Sequence, residues 1–556
     1  MNMKTAIQHH VRIIFFLVII ATSIIPTYSQ AADTDNEVPF QLSIMHTNDI
    51  HGHVERFPQL ITASNEVRAN HPDTLLLHAG DIFSGTLYFH MFHAQADLLF
   101  MNHMSYDAMG LGNHEFDLGR KEAGHPELVD FISSATFPVV ASNINFTTDQ
   151  GLSRVFKEGV HHEPEAGAMY EGIIKEVAGE KVGIFGIDTE TTKNSSSPYY
   201  VSFQDELESA EKMVEQFEAE GVDKIIALTH IGFDVHPDAR NDLSLAANVE
   251  GIDVIVGGHS HTILQEPYVV TENAAGEEMS PTVIVQAGEY GQYLGHVNVG
   301  FDENGDVIDY DGQLIDVTEK KPDPEAMEVL EPYAKQVDKV KNEKSGGVAM
   351  RDFPNPRVKS DGEGESVRNS ETALGNLITD AMLHEAQAVD PQVSMAFMNG
   401  GSIRAPIEAG PITIGEIIEA QPFGNTLAVT ALTGKEIKAV LEQSVKTAPR
   451  ESGRFLHVSG LAYTYDHEAE VGSRIQSVQV KDGDNEMAID DDQTYYVVTN
   501  NFLAYGGEGY DILASAYEQG RVKDLGLSDW EVLRDYVAEL GEVDTTVEGR
   551  IIDVAK

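Results

Sequence analysis

The chain has 556 residues, too many for one hydrophobic core, and 42% of them are hydrophobic, so it is a globular protein of two or three domains and not a disordered one. It contains no cysteine, which excludes disulfides, thiolate metal sites and a lipoprotein anchor, so any metal must be held by His, Asp, Glu or Asn. With 90 acidic against 37 basic residues the formal charge is −53, which argues against binding nucleic-acid polymers and suits solubility in a salty or alkaline, halophile-like medium.

Residues 1–31 carry the pattern of a signal peptide. Lys4 and Arg12 accompany an apolar run from Ile13 to Ile25, and Ser29 and Ala31 are the small residues before cleavage. The run is shorter than the ~20 residues of a spanning helix. No later stretch is apolar enough to span, and the ending Ile551-Ile552-Asp553-Val554-Ala555-Lys556 carries no lipid-anchor tail. The expectation is an exported protein, periplasmic or extracellular, with no stable membrane anchor.

From Pro39 to Ile315 short apolar runs alternate with helical or loop stretches. Candidate strands are Gln41–His46, Thr74–His78, Ala108–Leu111, Val139–Ala141, Val182–Ile187, Lys224–Thr229, Val254–Val256 and Val283–Gln286, and Glu206–Glu220 has helical spacing. This predicts an α/β domain over residues 39–320, with its chemistry on loops after strand ends. Residues 321–347 predict a linking helix. They open on Lys321-Pro322-Asp323-Pro324, place Met327, Leu330, Tyr333, Val337 and Val340 at helical spacing, and close near Gly346-Gly347. A second α/β unit occupies residues 348–556, with Asp361–Glu365 as a solvated loop.

In the first domain, five apolar runs each deliver a cluster of oxygen and nitrogen donors. These are Thr47-Asn48-Asp49-Ile50-His51-Gly52, Ala79-Gly80-Asp81, Gly112-Asn113-His114-Glu115-Phe116-Asp117, Thr229-His230, and Gly257-Gly258-His259-Ser260-His261. A lone buried histidine is usually a hydrogen-bonded core residue, and Gly-Asp after a strand is usually a turn. Five such clusters at successive strand ends are not explained by turns. Phosphate-ester hydrolysis at neutral pH needs a strong nucleophile and neutralised phosphoryl oxygens, which two adjacent divalent cations supply, and such a pair needs about seven hard or borderline ligands.

These motifs resemble the calcineurin-like metallophosphoesterases, specifically their 5′-nucleotidase branch, over nearly the whole chain after the leader. The resemblance implies a four-layered N-terminal α/β metallophosphoesterase domain, a C-terminal α/β 5′-nucleotidase substrate-binding domain, and two divalent ions (Zn, Mn or Co). Asp49, His51, Asp81 and His261 would hold one ion. Asp81, Asn113, His230 and His259 would hold the other, with Asp81 bridging. Relatives vary at position 261, often having Gln or Asn. His114 and Asp117 resemble the catalytic dyad, where the alternative is that Asp117 merely caps a helix. Glu115 has neither a metal nor a catalytic role in that pattern, and His46, His53, His78, His90, His93 and His103 are assigned to packing or surface.

In the second domain, Asn399 and Arg404 of Met398-Asn399-Gly400-Gly401-Ser402-Ile403-Arg404 match the substrate loop, and Arg368 a phosphate-binding arginine, suited to bidentate hydrogen bonds. Phe423 and Phe502 match the pair that stacks the base, with a broad base preference. Glu508 stands where an aspartate usually meets the ribose. The implied activity is hydrolysis of nucleoside monophosphates to nucleoside and phosphate, with di- and triphosphates as further substrates. UDP-sugar hydrolysis and 2′,3′-cyclic phosphodiester cleavage with 3′-nucleotidase action use the same motifs and stay open. So do a non-catalytic binding protein, a thioester-like substrate on a sulfur carrier, and a monomer or a homodimer.

Overall fold

The computed structural model describes residues 39–120, 123–234, 240–357, 364–482 and 485–555. The expected signal peptide, positions 361–363 of the expected solvated loop, and Lys556 lie outside the described residues. Among those described, no helix is long and apolar enough to cross a membrane.

Residues 40–316 build a 13-stranded mixed sheet. Phe40–Thr47, Leu75–Ala79 and Ala108–Gly110 are parallel neighbours in one half; Glu180–Asp188, Ile225–His230 and Val254–Gly257 are parallel neighbours in the other. Side chains alternate across a strand, so each strand feeds two cores. Leu42, Ile44, Leu75 and Leu77 pack against Ile184, Ile226, Leu228 and Val254 in one buried cluster shared by both halves. Their neighbours Met45, Leu76 and Met109 face the helices Phe57–Arg68 and Gln95–Met104 through Leu60, Phe100 and Met101. On the other outer face Phe185, Ala227 and Ile255 meet the helices Glu206–Ala219 and Asp242–Asn248 through Met213, Phe217 and Leu245. The order is therefore helix, sheet, sheet, helix. The apolar side chains of Leu75–Ala79 are fully buried, each contributing roughly 1.5–3 kcal/mol for a large one. This folding back brings the C-terminal ends of strands from both halves together.

The eight predicted strands are all present, with ends shifted by one or two residues except at Glu278–Val285, which begins five residues before the expected Val283. Strands Met169–Val177, Tyr293–Phe301 and Val307–Asp316 have no counterpart in the sequence reading. The first forms a hairpin with Glu180–Asp188 through Ala178 (φ 49°) and Gly179 (φ 92°), a turn geometry that Asn-Gly announces and Ala-Gly does not. Tyr293–Phe301 carries Gly295, His296, Asn298 and Gly300, which conceal its strand character.

Asp323 caps the helix Pro324–Lys341 by accepting from Ala326 N at 2.9 Å, and Pro324 opens it. Leu330 and Val337 are buried as expected, but Met327 is 44% exposed and is no part of the packed face. Strand Lys344–Ala349 follows at once, beginning inside the stretch read as linker and running past its end at 347. The second domain centres on a five-stranded sheet in the order Leu456–Ser459, Val393–Asn399, Thr494–Asn500, Thr426–Thr433, Val522–Ser528. Helix Ala373–Val389 packs Leu374, Leu377 and Ile378 into its core. Val393–Asn399 and Thr494–Asn500 are parallel neighbours, and Thr426–Thr433 runs antiparallel to the latter. The loops carrying Asn399 and Arg404, Phe502 and Glu508, and Phe423 therefore emerge at one edge.

Candidate functional site

The five donor clusters converge. Asp49, His51, Asp81, His259 and His261 have φ of 50°, 51°, 61°, 73° and 54°. Left-handed backbone at non-glycine residues costs on the order of 1–3 kcal/mol each, and such strain concentrates at working sites. It is held by hydrogen bonds from Asp49 N to Gly80 O, from His51 N to Asp81 O, and from His259 N to the Asp49 carboxylate. Gly80 must be glycine, since a Cβ there would lie 2.6 Å from Gly112 N.

His51 Nδ1 bonds Phe83 O at 3.1 Å, and His230 Nδ1 bonds Ala79 O at 2.7 Å, so each presents Nε2 to the carboxylates. Those two Nε2 atoms are buried and without a hydrogen-bond partner. His51 Nε2 stands 3.6 Å from Asp81 Oδ2; His230 Nε2 stands 2.9 Å from it, out of line for a hydrogen bond. Histidines fixed at one nitrogen with the other aimed at carboxylates fit cation ligands. Among the described residues at this site, two groups are compact enough to hold a cation: Asp49, His51 and His261, and Asp49, Asp81 and His230. Asn113 and His259 adjoin them, with His259 Nδ1 2.9 Å from Asn113 Oδ1 and its ring 5.2 Å from that of His230. All seven expected donors thus come together. The expected division made Asp81 alone common to both sets; in the structure Asp49 belongs to both compact groups.

The electrostatics ask for positive charge. Burial lowers the basicity of His230 and His261, but the Asp81 and Asp49 carboxylates outweigh it and raise both histidines. Burial works to raise Asp49 and Asp81, and the surrounding histidines hold both below the usual carboxylate range.

His114 Nδ1 lies 2.6 Å from Asp117 Oδ2. Burial lowers His114, yet Asp117 and Asp81 together raise it overall. Asp117 closes the short turn Asn113–Phe116 through its backbone N–H, but its side chain is engaged elsewhere: the carboxylate accepts from Ser196 Oγ at 2.7 Å and from Ser84 Oγ, besides His114. The two serines were not singled out in the sequence, and Glu115 was given neither a metal nor a catalytic role there. Glu115 accepts a backbone hydrogen bond from Gly112 of its own loop, and three more from Asp81, Ile82 and Phe83, which only the fold could assemble.

A cavity of about 820 Å³ joins this cluster to the second domain, within the range of small-molecule sites. Arg368, Asn399, Arg404, Phe423, Phe502 and Glu508 all line it. Arg357, absent from the sequence reading, lines it too. Burial, then Arg357 and Arg404, push Arg368 down to about 9, and its Nε is buried without a hydrogen-bond partner. Phe423 stacks on His114 with centroids 5.7 Å apart and lies 5.4 Å from the Arg404 guanidinium, so it meets both domains' expected site residues. Asn399 Oδ1 is occupied by Ser402 Oγ and Asn500 Nδ2. Glu508 (φ 56°) lays its carboxylate over Gly453 and Gly401, where a Cβ would fall 2.2 and 2.8 Å from Oε1.

Residues 42–262 match the calcineurin-like phosphoesterase family, and residues 348–515 match the 5′-nucleotidase C-terminal domain. The chain is 40% identical over 543 residues to the trifunctional nucleotide phosphoesterase protein YfkN of Bacillus subtilis (strain 168), covering 93% of this chain and 35% of that protein, so it spans about a third of that relative's length. It is 33% identical over 552 residues to the snake venom 5′-nucleotidase of Gloydius brevicauda, covering 92% of this chain and 89% of that one. The crystal structure of a 5′-nucleotidase precursor from Thermus thermophilus matches with a TM-score of 0.77 at 38% identity, covering 93% of this chain and 100% of that chain. The chain therefore belongs to the 5′-nucleotidase family of calcineurin-like metallophosphoesterases, enzymes that hydrolyse phosphoric esters.

Proposed function

We propose that this protein is an exported, metal-dependent 5′-nucleotidase that converts nucleoside monophosphates to nucleoside and phosphate. The observation that carries the reading is the cavity on which two carboxylate–histidine groups, three arginines and two phenylalanines converge. The division of labour follows the proposed boundaries: leader 1–31, catalytic domain 39–320, linking helix 321–347 and substrate domain 348–556.

Asp49, His51, Asp81 and His261 would hold one divalent ion, and Asp81, Asn113, His230 and His259 the other, with Asp49 close enough to serve both. Two such ions (Zn, Mn or Co) supply charge neutralisation and a deprotonated water at neutral pH. The chain's own residues do the rest. Arg368, Arg404 and Arg357 bind the phosphate and supply local positive charge in a chain of −53. His114, kept in one tautomer by Asp117, donates its Nε2 proton toward a phosphoryl oxygen, so charge that develops as the ester oxygen leaves is stabilised. Phe423 and Phe502 stack the base, and Glu508 and Asn399 shape the sugar side. A second reading, longer phosphate chains as substrates, is favoured by Arg357 as a third guanidinium.

Phosphate release from AMP, ATP, UDP-glucose, 2′,3′-cyclic AMP and 3′-AMP, before and after exhaustive chelation, tests this. The expected result is activity on AMP that chelation abolishes and Mn²⁺, Co²⁺ or Zn²⁺ restores. Full AMP hydrolysis by chelated protein would overturn the metal reading. Inactivity on AMP alongside turnover of UDP-glucose or the cyclic nucleotide would overturn the substrate.

A further inference from the structure

We infer that Glu289 is a positioning residue that orients His261 toward one of the two cation sites, an inference that rests on the metal-ligand reading of His261 given above. His51 and His230 have their Nδ1 atoms fixed by backbone carbonyls. His261 is held differently. Its Nδ1 pairs with Glu289 Oε2, and its Nε2 lies 3.1 Å from Asp49 Oδ1, so the ring spans the gap between an outer and an inner carboxylate. No other partner for this Nδ1 occurs among the described residues.

Glu289 stands on a turn built to keep it there. Ala287 N donates to Asn48 Oδ1 at 2.8 Å, and Asn48 Nδ2 donates to Gly288 O at 2.7 Å. Gly288 N donates to Thr262 O, and Tyr290 N donates to Asp49 O. Residues 287–290 are thus fastened to both loops that carry this group's donors. Gln286, fully buried, secures the second loop from within: its Nε2 donates to Gly258 O at 3.0 Å, and its Oε1 accepts from Ser260 Oγ at 3.0 Å. The Glu289 side chain is one-third exposed and lines the main cavity, so it is set against the site and not on an unrelated surface.

A carboxylate that accepts from Nδ1–H fixes the tautomer, leaves the Nε2 lone pair pointing inward and strengthens the imidazole as a ligand; losing such a partner typically costs 10–100-fold in metal affinity. With two imidazoles and a carboxylate, the Asp49, His51 and His261 group suits Zn²⁺ or Co²⁺ better than Mg²⁺ or Ca²⁺.

The test is calorimetric titration of chelator-stripped, full-length protein with Zn²⁺, with bound metal counted by mass spectrometry and thermal unfolding of each apo form as a folding check. The wild type is expected to take up two ions. Glu289→Gln should weaken one of them about 10–100-fold and leave the other unchanged, and Glu289→Asp should restore part of the loss. In a His261→Gln background, Glu289→Gln should have no further effect, because its action passes through the imidazole. Two unchanged affinities in Glu289→Gln, or an equal loss with and without His261, would overturn the inference while leaving the metal reading standing. A wild-type chain that takes up no ion overturns both.

Discussion

The Glu115 carboxylate lies behind Asp81 and accepts hydrogen bonds from Asp81 N, Ile82 N and Phe83 N, as well as from Gly112 N of its own loop. It ties two strand ends together and holds Asp81 in its left-handed conformation (φ 61°), with the side chain among the histidines. Both Glu115 oxygens face backbone donors, so Glu115→Gln places an amide NH₂ against N–H groups and leaves some of them unpaired. Unpaired buried donors cost about 1–3 kcal/mol each. Glu115→Gln should therefore lose at least about 2 kcal/mol of stability and, through Asp81, metal content. Denaturant unfolding and metal analysis of the pure variant check this, and a midpoint equal to the wild type would refute the bracing role.

Phe502 and Phe423 should separate. Phe502 turns the tip of its ring to Gly507 and makes no ring contact with His114 among the described residues, whereas Phe423 stacks on His114. Phe502→Ala should raise KM for AMP roughly tenfold, as the loss of one stacking face predicts, with little change on p-nitrophenyl phosphate. Phe423→Ala should lower kcat on both substrates in addition to raising KM for AMP. Steady-state kinetics on the two substrates decides, and identical profiles for the two variants would contradict the assignment.

His457 should make the second domain acid-sensitive. Burial, the main cause, pushes its pKa from 6.5 to about 4, and its Nδ1 has no hydrogen-bond partner. Above pH 6.5 both folded and unfolded chains carry it neutral, and the full stability is present. As pH falls from 6.5 to 4 the unfolded chain takes a proton that the folded one refuses, and about 3 kcal/mol is lost. Unfolding free energies of wild type and His457→Gln at about pH 7 and about pH 4.5, on either side of that window, measure the difference, and parallel losses in both proteins would count against it.

Gly375 in helix Ala373–Val389 is there because His457 occupies the space beside it: a Cβ would lie 2.0 Å from His457 Nδ1. Gly375→Ala, stabilising in an exposed helix, should here cost about 1–3 kcal/mol through overpacking. Thermal unfolding reads this directly, and a raised Tm would show that the ring yields.

An anionic substrate approaches a chain of −53 through a repulsive field. Salt shortens the screening length from ~10 Å at 0.1 M to ~3 Å at 1 M and leaves contacts with the arginines less affected. The value of kcat/KM should rise with NaCl to a few tenths molar, more steeply for ATP than for AMP. Circular dichroism over the same series excludes salt-driven refolding as the cause. A steady fall from zero salt at constant ellipticity would dispose of the idea.

By itself the sequence determined which residues are candidates for the chemistry and where the strands that deliver them end. Those signals are local: an apolar run such as Leu75-Leu76-Leu77 followed by Gly80-Asp81 reads as a strand end bearing a donor, whatever it later meets. The tertiary structure decided what each donor faces. Asp49 joins both compact groups because the sheet folds back and brings Ile225–His230 and Val254–Gly257 against the first three strands. Glu289 reaches His261 only because Asn48 holds Gly288 across 240 residues of chain, and Ser196 reaches Asp117 across 79. Ser84, Ser196, Glu289 and Arg357 carry no spacing signal, nor do the Asp81, Ile82 and Phe83 donors of Glu115, since these partners are set by loop closure between distant strands and not by any period within one element.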